Sequence, residues 1–288
     1  QWSGLGCSLD RQAGRDTPSI GTRHSTPPHW FVSLVSICFS RGRQMKAAPI
    51  IIFLFKDADG FGASLFDALL PNPSSRFQRS EDDFEFPLQS CGIEDLKASG
   101  KIAHYIDEKG LYQVSLVLLQ YYEPPILACA LNVVLTSIKT VESVQKPTII
   151  LPCIVSSSKR KLVARSSELG IKKFPLYGMQ VSPGPRADIA NLLAARVRKP
   201  ASSLEILHEQ AACFLQLVRV LKIPTFVLIG QSGQRISSIT SKEELEVFYE
   251  IGELLANTAG LCFLRDRIAW KPTSQSRETE EPWRVLYG

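Results

Sequence analysis

The sequence predicts an α/β protein with three layers: a buried, mostly parallel sheet flanked by helices, in one domain with flexible termini. Three observations carry this. The apolar runs Pro49–Phe55, Thr148–Val155 and Thr225–Ile229 have the makeup of strands buried on both faces. Segments of helical period alternate with them. Hydrophobic content of 44% against 21% charged is that of a chain with a substantial core rather than a disordered one.

Residues 1–46 read as a disordered basic arm, with six basic side chains against two acidic ones. The first residue is Gln, and a gene-model origin for this arm is an open alternative. Its one apolar stretch, Trp30–Phe39, is too short to cross a bilayer. It reads as a first strand or as part of a mistaken start. The domain, 47–268, opens with the Pro49–Phe55 strand. A turn rich in Asp and Gly follows (Asp57, Asp59, Gly60, Gly62), then a helix carrying Ala63, Phe66, Leu69 and Leu70. Residues 71–100 are loop-like, with an acidic stretch, "EDDFEF", that can hold a short strand.

Two runs of β-formers around Asp107–Gly110 predict a hairpin over 101–121. Pro124 and Pro125 stop its second strand and suit the first turn of a helix over Ile126–Lys139. Residues 156–200 are basic, then rich in Pro and Gly, and read as a long surface excursion. A helix capped by Ser202 and Glu205 follows. Its stripe is Leu204, Leu207, Ala211, Phe214, Leu215, Val218 and Leu221, and Pro224 ends it before the Thr225–Ile229 strand. Ser241 with Glu244 opens a last helix, and Gly260 stops it. Residues 269–288 form a tail.

The function classes narrow by elimination. Outside the arm the charge is close to balanced, which argues against nucleic acid as the main partner. Seven cysteines lie no closer than 24 residues apart, so zinc spacing is absent. Cys129, Cys153, Cys213 and Cys262 sit in apolar runs and read as small buried hydrophobes in a reducing compartment, cytoplasm or nucleus. Ser232 follows a buried strand, as a hydrolase nucleophile would, and a serine hydrolase is the enzymatic alternative. However, Gly233 arrives one residue early, "RISSIT" does not read as the helical arm, and no histidine follows. The Asp57–Gly62 turn lacks the acidic twelfth residue of a calcium loop and the lysine of a phosphate loop. It leaves a small-ligand role as a third reading. His104 falls in the hairpin and His208 on an apolar stripe. Neither makes a metal site, and neither cofactor nor metal is expected.

One resemblance goes further. The order of strand, Gly-containing turn, helix, hairpin, helix and strand, followed by "ILHEQAACFLQLVRVLKIPTFVLIG", resembles the proteasome assembly chaperone 1 family. The ending "LYG" resembles that family's C-terminal motif of a hydrophobic residue, a tyrosine and any final residue. The resemblance implies a non-enzymatic chaperone that pairs with proteasome assembly chaperone 2, with another proteasome-binding chaperone of the chaperone 2 type as the alternative. The pair scaffolds the α-subunit ring of the proteasome core particle. It further implies that Leu286 enters a groove between adjacent α subunits and that Tyr287 packs beside it. The carboxylate of Gly288 would pair with a pocket lysine. No nucleic-acid or membrane partner is implied.

Overall fold

The computed structural model describes residues 44–140, 146–156, 176–182, 184, 187–200, 208–232, 239–268 and 270. Several expectations lie outside these residues: the Trp30–Phe39 run, the Ser202–Glu205 capping box with Leu204 and Leu207, and the final triplet. In chain order the elements are β1 (Met45–Ala47), β2 (Ile50–Phe55), α1 (Phe61–Ala68), β3 (Leu69–Pro71), β4 (Gln78–Pro87), β5 (Lys97–Ile106), β6 (Tyr112–Leu119), α2 (Ile126–Ser137) and β7 (Ile138–Thr140). Then follow β8 (Thr148–Ser156), β9 (Leu176–Ser182), α3 (Ala187–Arg196), α4 (Glu209–Val220), β10 (Thr225–Ser232), α5 (Ile239–Ala259) and β11 (Leu261–Phe263).

Seven strands form the central sheet in the order β4-β5-β6-β2-β8-β10-β9. The four inner strands, β6, β2, β8 and β10, run parallel. Both flanks are antiparallel, β4 and β5 on one side and β9 on the other. Alternation along β2 shows why its apolar run is continuous. Ile51, Phe53 and Phe55 enter one core with α2 and α4, while Ile52 and Leu54 enter the other with α1, α3 and α5. The result is the expected three-layer sandwich. The β1–β7 and β3–β11 pairs add two small ladders beside it.

Local differences from the sequence reading have physical causes. The acidic stretch belongs to a ten-residue strand, because Phe84 and Phe86 point inward while Glu81, Asp83 and Glu85 stay in water. The 156–200 excursion contains β9 and α3. Pro and Gly disguised β9, yet Gly178 is needed where a Cβ would stand 2.6 Å from the Phe226 ring. Among the described residues helix α4 starts at Glu209. His208 has extended backbone and caps it, its Nδ1 accepting from the Ala211 N–H at 3.3 Å. Helix α5 starts at Ile239, which leaves Ser241 inside it and makes the end of "RISSIT" helical. The hydroxyl-rich run before it offers several capping groups, and sequence alone does not choose among them. The stop at Gly260 is as expected, with φ +69°.

Candidate functional site

The carboxyl ends of the inner parallel strands gather the sequence-predicted candidates at one rim of the sheet. β2 leads to α1 on one face and β6 leads to α2 on the other, so the chain diverges between these neighbours. Such a divergence is the usual ligand position of an α/β sheet. The Asp57–Gly60 turn lies there. The Gly60 N–H bonds the Asp57 carbonyl at 3.2 Å, and Gly60 sits at φ +75°. Gly62 is needed for packing: a Cβ there would stand 2.0 Å from the Phe55 carbonyl oxygen. Both glycines therefore have backbone reasons that require no phosphate.

Asp57 is different. Burial pushes its carboxyl up to about 6; the Phe61 and Gly60 N–H groups oppose this, and nearby Asp59 adds to it. Among the described residues no donor reaches its Oδ1. The turn thus holds one carboxylate that changes charge near neutrality. Among the described residues no group of His, Cys, Asp and Glu could hold a metal.

Ser232 ends β10, opposite Ser156 at the end of β8. His104 lies on β5, four strands away from β10. There the Ser115 hydroxyl accepts from the Ala48 N–H at 2.9 Å and lies 2.9 Å from the His104 Nδ1. This buried network is structural, since Ser115 is fully buried. His208 lies nearer the Ser232 rim, because α4 runs back along the sheet before β10 begins. Its Nδ1 accepts a backbone N–H, so the neutral ring carries its proton on Nε2 and cannot take one there. Two of the thiols are quiet as well. Burial pushes Cys153 up to about 12, and burial with the neighbouring Cys129 pushes Cys213 up to about 11. No disulfide forms among the described cysteines.

Sequence reasoning missed Trp270. It is 4% exposed, stacked on Phe248 at 4.9 Å and edge-on to Phe61 at 6.0 Å. Phe61 opens α1, directly after the Asp57 turn. Trp270 therefore lies at the same rim as that turn, and a tryptophan just before a polar run was the signal that could have revealed it.

A family model described as a domain of unknown function, DUF7894, matches residues 45–288. The chain belongs to the DUF7894 family. The matched span of this DUF7894 chain takes in both Trp270 and the last three residues. No curated protein matches the chain. Solved structures similar to it include PbaB of Pyrococcus furiosus, an archaeal proteasome activator, at 12% identity and a TM-score of 0.42 over 84% of this chain and 94% of that one. A proteasome-assembly chaperone homologue of Mycobacterium tuberculosis aligns at 12% and 0.37 over 83% and 99%. A futalosine hydrolase mutant of Helicobacter pylori aligns at 9% and 0.38 over 73% and 98%. These likenesses span a chaperone homologue and a hydrolase and assign no function. No helix among the described residues is long and apolar enough to cross a membrane.

Proposed function

We propose that this protein is a non-enzymatic chaperone for assembly of the proteasome core particle, acting in the cytoplasm or nucleus. In this reading it scaffolds the α-subunit ring as a heterodimer with proteasome assembly chaperone 2. The carrying observation is the triplet Leu286-Tyr287-Gly288 at the C-terminal end of the sequence. Leu286 fills an apolar groove between adjacent α subunits, Tyr287 packs beside it with its hydroxyl bonded, and the Gly288 carboxylate meets a pocket lysine.

Trp270 supports the reading by giving the tail a fixed root. Fifteen residues separate the root from Leu286, a reach of roughly 50 Å when extended. A rooted tail holds its end at high local concentration once the folded body is docked. Three residues supply limited affinity, so the body carries most of the contact.

The test is affinity purification with quantitative mass spectrometry, comparing the intact chain with Tyr287→Ala and with deletion of Leu286–Gly288. Recovery of α subunits should fall about tenfold or more while the melting temperature stays unchanged. Equal recovery from all three would refute the tail's role. Labelling of the intact chain by a fluorophosphonate probe, lost in Ser232→Ala, would favour the hydrolase instead.

A further inference from the structure

The two edges of the central sheet carry opposite charge. Strand β4 pairs only with β5 among the described residues, in an unbroken register of ten residues. Its exposed side chains include Glu81, Asp82, Asp83 and Glu85. Glu81 is paired with Arg79 and Glu85 with Lys97, whereas Asp82 and Asp83 form no ion pair among the described residues. Lys101 stands across from Asp83 in the ladder. At the opposite edge β9 is met on its outer side by Arg198, which bonds Leu176 and Gly178 and no residue beyond them among those described. The rest of β9 borders a groove of about 410 Å³ beneath α4, lined by Met179, Val181, Leu215, Gln216 and Arg219 among others. Arg196, Arg198, Lys199, Arg219 and Lys222 are exposed around this edge, against Asp188 and Glu209 farther back at the starts of α3 and α4. Arg219 has no carboxylate partner among the described residues.

We propose that this groove receives the acidic β4 edge of a second copy, so that the sheet continues from one molecule into the next. Strand addition supplies main-chain bonds, and the charges select the pairing. Joining β4 to β4 or β9 to β9 would set like charges against each other, which is unfavourable. Only β4 against β9 is complementary. The faces agree as well. Asp82 shares the sheet face of its ladder partner Ile102, the face that α4 covers, so an aligned β4 brings Asp82 to Arg219. The contact joins two different surfaces, so it builds a ring or a chain of copies rather than an isolated dimer. This goes beyond the chaperone reading, and its test contains no proteasome subunit.

The test is sedimentation velocity on the full chain at rising concentration, at about 50 mM and about 500 mM ionic strength. Self-association should appear at low salt and weaken at high salt. Asp82→Lys with Asp83→Lys should weaken it at least about tenfold, as should Arg219→Glu with Lys222→Glu. A chain carrying all four reversals should regain it. A monomer under every condition, or association insensitive to salt and to both reversals, would overturn the proposal. All four side chains are exposed, so the variants should fold, and the salt arm needs no variant.

Discussion

The two faces of the sheet are covered differently. On the face of α1, α3 and α5, aromatic rings form a continuous cluster: Phe61 meets Phe248 edge-on at 5.4 Å, Trp270 stacks on Phe248, and Phe263 adjoins both Phe248 and Tyr249. On the face of α2 and α4, Phe214 packs on Phe53 and Phe55, but two buried amides interrupt the apolar contact. Asn132 and Gln210 are 2% and 5% exposed, and neither amide atom of either finds a partner among the described residues. Burying an unmet amide costs free energy, whereas edge-on and stacked rings add to it favourably. Trp270 lies on the face with the larger ring cluster, although its own buried indole N–H finds no partner among the described residues.

Breaking the aromatic cluster should have the largest effect. Phe248→Ala should cost about 3–5 kcal/mol in urea unfolding and expose Trp270, read as a red shift of its fluorescence. A cost below about 1 kcal/mol would mean the cluster does not hold this face. Asp57 comes next, at the turn that leads into the same face. Its folded value near 6 lies above the ordinary 3.8, so its burial penalty is absent below about pH 4 and complete above pH 6. Asp57→Asn should therefore stabilise the fold by up to about 3 kcal/mol at pH 7.5, with the gain vanishing towards pH 4. A pH-independent effect would contradict the assignment.

A smaller gain is expected on the opposite face. Asn132→Leu should raise stability by about 1 kcal/mol, since it removes an unmet amide from the core. A loss of stability would show that the amide has a partner after all. The smallest effect concerns His104, whose burial holds its ring below the ordinary 6.5. As pH falls below 6.5 the unfolded chain takes up this proton first, so stability should decline. His104→Gln should flatten that decline, and an unchanged pH profile would remove His104 from it.

Elements with a strong period were legible in the sequence. Pro49–Phe55, the hairpin around Asp107–Gly110 and the Gly260 stop each rest on residues whose local chemistry agrees with the fold. Elements set by tertiary contact were not. β9 is half-buried and carries Gly178 for the sake of the Phe226 ring. His208 fits the spacing of an apolar stripe, yet it serves as a cap. The candidate site divides in the same way. The Asp57 turn was visible from its Asp and Gly residues, but the shift of Asp57 comes from burial that no local pattern records. Trp270 acquires its meaning only from Phe61 and Phe248, both distant in sequence.

The most direct measurement of the central claim is ring formation from purified proteasome α subunits, followed by native mass spectrometry with the intact chain or the chain lacking Leu286–Gly288, each together with the proposed partner, proteasome assembly chaperone 2. The account predicts that the intact chain raises the yield of complete single α rings and that the truncated chain raises it less. A ring yield that the intact chain leaves unchanged would contradict the account.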